Sequence, residues 1–186
     1  MRFQKHNSSG FTLIELLIAI AIIGIMTAAV IPFMQRMQTG YERKKFIARV
    51  NSLAQTAWQQ AIITGVVHRV LFTMAERTAV VERDITKSVL SKKLEFKPIA
   101  VESASMSWPA SIEIRQFIIA GVDEMKRSTA RRTTTAWFYV IPDGMTQAVT
   151  INGVDKDEQV ENKPKQFGLV LNPFRAQFKV YDVFQK

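Results

Sequence analysis

The sequence predicts an α+β protein in which a long N-terminal helix, transmembrane in its first part, packs on a C-terminal head formed by an antiparallel β-sandwich or sheet. Two changes of pattern along the chain support this prediction. A continuous apolar stretch near the N-terminus passes into a helical repeat that ends near Gly65. After Gly65 the apolar residues alternate with a period of two, which is typical of strands.

The apolar stretch covers residues 11–34, in which Glu15 is the only ionisable side chain. Its charge-free part, residues 16–34, is 19 residues long. A helix needs about 20 such residues to cross the hydrocarbon core of a membrane. A soluble helix would also carry a polar face, whereas this one is apolar on all sides. The stretch is therefore predicted to be a membrane segment.

Helical periodicity continues beyond this segment. Apolar residues recur at three- and four-residue steps and form one stripe, with Trp58 predicted to pack in the core. The stripe contains Phe46, Ile47, Val50, Leu53, Ala54, Ala57, Trp58, Ala61 and Ile62. The polar residues between them are expected on a solvent-facing side, and they are Arg49, Asn51, Gln55, Gln59 and Gln60. Pro32 and Gly40 are predicted sites of bending or local melting.

Eight segments after Gly65 are rich in β-branched and aromatic residues and are predicted strands. They cover residues 66–72, 79–83, 94–101, 111–120, 134–141, 147–151, 167–171 and 176–184. Turns are predicted at Pro142-Asp143-Gly144, Asn152-Gly153, Lys163-Pro164 and Asn172-Pro173. This many short strands predict a sandwich, or two small sheets, packed on the stripe of the helix.

The composition argues against an enzyme. The chain has no cysteine and only two histidines, His6 and His68, so thiolate zinc sites, cysteine nucleophiles and histidine-rich metal sites are excluded. No nucleophile–base signature, glycine-rich phosphate loop or metal-ligand spacing is present, and no cofactor or metal is expected. The acidic stretch Asp155-Lys156-Asp157-Glu158 lacks the alternating ligands of a calcium loop and is expected to form a solvated loop.

The residues Ser9-Gly10-Phe11-Thr12-Leu13-Ile14-Glu15-Leu16 resemble the prepilin processing site of type IV pilins and type II secretion pseudopilins. The resemblance implies that a prepilin peptidase cuts between Gly10 and Phe11 and that Phe11 is then N-methylated. Glu15 becomes the fifth mature residue. The implied domains are residues 1–10, a cleaved basic leader; 11–34, a transmembrane and polymerisation helix; 35–65, its amphipathic continuation; and 66–186, a β-rich, pilin-like head.

Two other interpretations of the apolar segment compete with the prepilin. One is a secretory signal peptide cut near Thr27-Ala28-Ala29, and the other is a signal anchor that is never cut. Glu15 favours the prepilin, because a carboxylate in an apolar helix needs a positive partner. Cleavage after Gly10 creates an α-amine four residues before Glu15, on the same helix face. We therefore expect the amine of one subunit to pair with Glu15 of the next.

The head, with Phe138-Tyr139-Val140-Ile141-Pro142-Asp143-Gly144, resembles the H-type minor pseudopilin and its FimT-like relatives. The resemblance implies a structural subunit at or near the tip of a periplasmic pseudopilus that supports protein export. Its implied partners are other pseudopilins, the prepilin peptidase, the inner membrane, and secreted cargo or the outer-membrane channel. The leader would be cytoplasmic and the head periplasmic. The positive-inside rule favours the opposite orientation, but it is weak for long C-terminal domains.

The net charge is +9, and loss of Arg2 and Lys5 with the leader lowers it by two, to +7. Cations cluster at Lys126, Arg127, Arg131 and Arg132, followed by the rings of residues 137–139. Cationic grooves with stacking aromatics bind single-stranded nucleic acid. An alternative function is therefore a minor pilin of a type IV pilus or competence system that captures DNA. Strand alternation is expected to bury at least one of these rings, and a solvated loop is the simpler interpretation of the cations.

Overall fold

The computed structural model describes residues 13–38, 40–86, 94–126 and 135–186. The chain divides into two compact units, residues 1–39 and 40–186. The first unit contains helix α1 (Leu13–Gln38), and the second contains helix α2 (Tyr41–Thr64) and the strands. The predicted leader, with Gly10 and Phe11, lies outside the described residues.

Helix α1 continues through Pro32 and ends at Gln38. Its side chains are described over residues 13–27, and all of them are exposed. The hydroxyl of Thr27 donates to the carbonyl of Ile23 at 2.7 Å, within the helix. Over the described residues, no helix combines the length and the apolar character that a membrane span requires. The side chains of residues 28–38, which fall largely within the predicted membrane segment, lie outside the description.

Helix α2 is framed by two left-handed glycines. Gly40 precedes it with φ 74°, and Gly65 follows it with φ 66° and donates its N–H to Ala61 O at 3.0 Å. Glycine adopts this conformation without a Cβ penalty. A Cβ on Gly40 would also lie 2.8 Å from Glu158 Oε2. The predicted melting at Gly40 is confirmed, and it divides the helical region in two.

The apolar stripe of α2 faces the core as predicted. Its buried members are Phe46, Val50, Leu53, Ala54, Ala57 and Ala61, while Ile47 and Trp58 are partly buried against the core. Ile62 departs from the prediction, because it is 45% exposed at the end of the helix. Thr56 is buried instead, and its hydroxyl donates to Ser103 Oγ at 2.9 Å.

The described part of the head contains two antiparallel sheets and ten strands. These are β1 (His68–Thr73), β2 (Thr78–Asp84), β3 (Phe96–Pro98), β4 (Ser105–Ser107), β5 (Ile112–Ile119), β6 (Val122–Asp123), β7 (Thr135–Val140), β8 (Val149–Val160), β9 (Lys163–Asn172) and β10 (Gln177–Tyr181). The first sheet has the order β3-β2-β1-β7, with β4 also paired to β2; the second has the order β10-β9-β8-β5-β6. The prediction of two small antiparallel sheets with the helix stripe is confirmed.

Aromatic rings fill the space between these layers. Phe72 of β1 lies 5.3 Å from Phe117 of β5, measured between ring centroids, so the two sheets meet through their inner faces. Phe46 of α2 lies 5.7 Å from Trp108 and 5.9 Å from Phe167 of β9. Burying one such ring stabilises the fold by about 1.5–3 kcal/mol. The helix stripe and both sheets therefore share one core.

Two predicted turns are wrong. Asn152-Gly153 lies inside β8, because Asn152 Nδ2 donates to Gln185 O at 2.7 Å and Gly153 leaves space for Phe167. Lys163-Pro164 begins β9, and the turn itself is Glu161-Asn162, where both residues have positive φ. The turns at residues 142–144 and after Asn172 are confirmed.

The predicted loop at residues 155–158 is wrong, because these residues lie in β8, but the predicted solvent exposure is confirmed for Lys156 and Asp157. Asp155 is 1% exposed, and its Oδ1 accepts the backbone N–H of Asp157 at 3.0 Å. Burial raises the pKa of the Asp155 carboxyl. Asp155 is therefore buried in the head, whereas Lys156 and Asp157 face solvent beside an irregularity in the β8–β9 pairing.

Candidate functional site

Glu15 lies in the first turn of α1 and is exposed. The processing residues predicted with it, Gly10 and Phe11, lie outside the described residues. The described side chains around Glu15 are almost all large and apolar; they include Leu13, Ile14, Leu16, Leu17 and Ile18, each more than half exposed. An apolar surface of this kind is typical of helices that are covered by lipid or by other helices.

The head is attached to the start of α2 by an ion network. Arg43 Nη2 lies 3.0 Å from Glu158 Oε2, with side chains only 12% and 18% exposed. Arg43 Nη1 also lies 3.6 Å from Asp182 Oδ1, and Lys165 Nζ lies 3.3 Å from the same oxygen. The network joins α2, the hairpin of β8 and β9, and the C-terminal segment. Sequence spacing does not indicate it, because Arg43 lies more than 100 residues before Glu158 and Asp182.

Helix α2 also covers the edge of the second sheet. Gln55 Nε2 donates to Arg175 O at 2.7 Å and to Ala176 O at 3.2 Å, just before edge strand β10. Asn51 Oδ1 accepts the backbone N–H of Phe178 on β10 itself. The predicted solvent-facing position is wrong for Asn51 and Gln55, because both contact the head. These bonds fix the height of the head along α2.

A further contact lies near the C-terminal end of α2. Trp58 Nε1 donates to Gly144 O at 2.7 Å, in the turn after β7. Gly144 has φ 83°, and Asp143 Oδ1 accepts the N–H of Met145 at 3.0 Å, which closes the turn. The predicted core packing of Trp58 is confirmed. The acceptor of its hydrogen bond, Gly144 O, belongs to residues 138–144, the segment on which the resemblance to the H-type pseudopilin is based.

The predicted basic cluster is described only at Lys126. Its Nζ lies 3.6 Å from Asp123 Oδ2, and its side chain is 73% exposed. Arg127, Arg131 and Arg132 lie outside the described residues. Phe138 is fully buried whereas Trp137 is 37% exposed, so the expected burial of at least one ring is confirmed.

On the outer face of the first sheet, Trp137 belongs to an aromatic cluster around Arg69. The Arg69 guanidinium carbon lies 4.2 Å from the ring centroid of Phe96 and 5.5 Å from that of Trp137. Arg69 Nε donates to Glu82 Oε2 at 2.6 Å, so its charge is already paired. This outer face is therefore a structural cation–π arrangement rather than a free cationic surface.

Over the described residues, no group of three or more His, Asp or Glu side chains is placed to hold a metal ion. His68 is fully buried, and its Nδ1 lies 2.9 Å from Val66 O. Burial lowers the pKa of this imidazole. Its position in the core gives it a structural role.

Comparison with known proteins supports the prepilin interpretation of the N-terminus. Residues 5–31 match the family model described as the prokaryotic N-terminal methylation motif. No curated protein sequence matches the chain at a significant level. The prepilin-type identification made from residues 9–16 is therefore confirmed.

The chain is similar in structure to a minor pseudopilin and to GspH of E. coli. The minor pseudopilin EpsH from the type 2 secretion system of Vibrio cholerae has a TM-score of 0.50 at 10% identity, covering 76% of this chain and 97% of EpsH. GspH of E. coli has a TM-score of 0.49 at 11% identity, covering 78% of this chain and 89% of GspH. The likeness to EpsH shows a shared fold, a helix packed on an antiparallel head.

Proposed function

We propose that this prepilin-type protein is a minor pseudopilin of a type II secretion system, a structural subunit at or near the tip of the periplasmic pseudopilus. One combination carries the proposal: a methylation motif over residues 5–31 is joined to a head with the fold of EpsH. The motif supplies the means of processing and polymerisation. The head supplies surfaces that contact neighbouring subunits, secreted cargo or the outer-membrane channel.

The exposed side chains of α1 support a membrane anchor before assembly. Each large aliphatic side chain left in water costs about 1.5–3 kcal/mol relative to burial, and α1 exposes a series of them between Leu13 and Met26. Lipid of the inner membrane covers this surface in the free subunit, and the helices of neighbouring subunits cover it in the filament. The leader is cytoplasmic and the head periplasmic in this proposal.

Glu15 sets the axial position of the subunit in the filament. The prepilin peptidase cuts after Gly10, and the new α-amine of Phe11, which is then methylated, carries the positive charge. The amine of a neighbouring subunit pairs with Glu15, which removes much of the cost of holding either charge in apolar surroundings. The position of Glu15 in the first turn of α1 supports this role, because it places the carboxylate near the end where the amine is created.

The experiment compares Glu15→Ala with Glu15→Asp in the full-length chain. Glu15→Ala is expected to be processed and to remain in the membrane. It is expected to be absent from sheared filaments, and protein secretion should be lost. Glu15→Asp keeps the negative charge and is expected to retain a substantial part of filament incorporation and of secretion. Normal incorporation and secretion of Glu15→Ala would contradict the pairing mechanism.

Mass spectrometry of protein from its native membrane tests the processing step separately. The proposal expects a mature chain that begins at methylated Phe11 and lacks residues 1–10. A chain that begins near Ala29 would instead identify an ordinary signal peptide. An intact chain with Met1 in working filaments would remove the role of the new amine.

A second candidate is a minor pilin of a type IV pilus or competence system that captures DNA. The observation in its favour is the exposed Trp137, which lies on β7 directly after the segment containing the basic cluster. Gel-shift titration of DNA with the chain, over a range of salt concentrations, tests this candidate. The variant for comparison has four residues replaced together by alanine: Lys126, Arg127, Arg131 and Arg132. If the natural chain does not bind DNA, or if the variant binds DNA with equal affinity, the candidate is excluded.

A further inference from the structure

A cavity of about 280 Å³ lies beside the N-terminal half of α2, against the segment that joins β4 to β5. Residues from both elements line it: Glu42, Lys45, Phe46, Arg49, Ser107, Trp108 and Pro109. We call it the α2 pocket. All of these lining residues belong to the second compact unit.

The floor of the α2 pocket is apolar and well packed. Phe46 and Trp108 are buried and meet edge to face, with ring centroids 5.7 Å apart. The backbone N–H of Trp108 donates to Arg77 O at 3.0 Å, which ties the main chain at Trp108 to the residue before β2. Two rings packed in this way favour an apolar group from a partner, because the side chains of the pocket lose little conformational freedom when that group binds.

The rim carries an excess of positive charge. Lys45 and Arg49 are four residues apart on one face of α2, and Glu42 lies one turn before Lys45. Lys45 Nζ lies 3.9 Å from Glu42 Oε1, with both side chains about two-fifths exposed, so their attraction is weak. Arg49 is exposed and has no ion-pair partner among the described residues. Its planar guanidinium is available for a carboxylate.

We propose that the α2 pocket binds a partner-protein segment in which an acidic residue stands beside a bulky apolar residue. The apolar side chain rests on Phe46 and Trp108, and the carboxylate accepts hydrogen bonds from Arg49 and Lys45. The volume fits one or two side chains and is too small for a helix. A carboxylate is the complement that the net positive rim requires.

The same chemistry separates this partner from a membrane surface. Lys44 is exposed and stands next to Lys45, but it does not line the pocket. An anionic bilayer is attracted by all exposed cations near it and treats Lys44 and Arg49 alike. A peptide seated in the pocket contacts Arg49 and leaves Lys44 free. Lys44→Glu is therefore a matched control for Arg49→Glu, with the same change of charge on the same helix.

The test selects peptides from a random phage-displayed library on the full-length chain in detergent, and then measures the affinity of a selected synthetic peptide by fluorescence polarisation. Selected sequences are expected to share an acidic residue beside an aromatic or large aliphatic one. Arg49→Glu is expected to weaken binding by about tenfold or more, the loss of a charge-assisted contact, whereas Lys44→Glu changes it by less than about twofold. Circular dichroism checks that both variants keep the fold.

Three results would overturn the proposal. The selected peptides could lack an acidic residue, or no peptide could be recovered. Arg49→Glu and Lys44→Glu could weaken peptide binding equally. Vesicles containing phosphatidylglycerol could bind the chain in place of any peptide and lose that binding equally in the two variants, which would identify a membrane surface. The peptide-binding test does not depend on filament assembly, because it does not involve the proposed pairing of Glu15. Its failure would therefore leave the proposed function unaffected.

Discussion

The side chain of Asn51 on α2 accepts a hydrogen bond of 2.7 Å from the backbone N–H of Phe178 on β10, 127 residues further along the chain. Strand β10 lies at the edge of its sheet, and no other described strand pairs with its outer side. Asn51 and Gln55 together supply hydrogen-bond partners at this edge. The helix thereby blunts an edge that could otherwise pair with another chain.

The Asn51 contact predicts a measurable loss of stability. Asn51→Ala leaves the part-buried N–H of Phe178 without its acceptor and is expected to cost about 1–3 kcal/mol in the free energy of unfolding. Asn51→Asp keeps an acceptor oxygen and is expected to cost less. Urea unfolding of the full chain in detergent measures both. Gln59→Ala, an exposed site on the same helix, is the control and should change stability by less than about 0.5 kcal/mol; an equal loss there would contradict the edge contact.

The same residues show where sequence analysis reached its limit. The stripe from Phe46 to Ala61 was predicted because helical spacing reports directly which side chains share a face. The sequence predicts a solvent-facing position for Asn51 and Gln55, because polar side chains are mostly exposed. Their partner is a strand edge that no local pattern brings near α2. Side chains that bond to distant backbone therefore look the same in the sequence as side chains that bond to water.

The candidate site divides in the same way. The predicted processing motif around Gly10 and Glu15 is local, so the sequence alone can indicate it. The α2 pocket joins Arg49 to Trp108 through tertiary packing, and no spacing in the sequence indicates it. The wrong turn at Asn152-Gly153 has the same origin: a strong hairpin dipeptide is overruled by bonds from Asn152 to the C-terminal segment. Local motifs can therefore be predicted from the sequence, whereas contacts between residues far apart in the chain cannot.

Gly153 is expected to tolerate no side chain. A Cβ there would lie 2.5 Å from Phe167 Cζ and 3.1 Å from Glu113 O. Because Phe167 is fully buried, it has no free space to move into. Gly153→Ala should destabilise the protein by about 1–3 kcal/mol through overpacking. Adding Phe167→Leu to Gly153→Ala should cost less than the sum of the two single changes, and strict additivity in the thermal unfolding data would show that the ring is not the cause.

The ion pair of Arg43 and Glu158 predicts a different kind of loss. Arg43→Met leaves Glu158 in a mostly buried site without its partner and is expected to cost about 1.5–3 kcal/mol. The double change Arg43→Met with Glu158→Gln removes both charges and should recover part of that loss. Lys44→Met, exposed and adjacent, serves as the control for removing one positive charge. If chemical denaturation gives the same loss at positions 43 and 44, the pair contributes nothing beyond net charge.

His68 makes the stability of the head depend on pH. Its Nδ1–H donates to Val66 O, and its Nε2 is buried without a hydrogen-bond partner in the described structure. Burial lowers the pKa of the imidazole from its ordinary 6.5, and the charge of Arg83 on the paired strand lowers it further. The unfolded chain therefore binds a proton at a higher pH than the folded chain does.

The stabilisation is complete above pH 6.5, the ordinary pKa of His68, and is lost as the pH falls toward the lower folded-state pKa. One proton gives a slope of at most about 1.4 kcal/mol per pH unit in that window. His68→Gln keeps an N–H donor but cannot titrate, so its free energy of unfolding should fall less steeply below pH 6.5 than that of the natural chain. Unfolding curves collected from pH 5 to 8 for both proteins measure the difference, and parallel pH profiles would show that His68 does not titrate on unfolding.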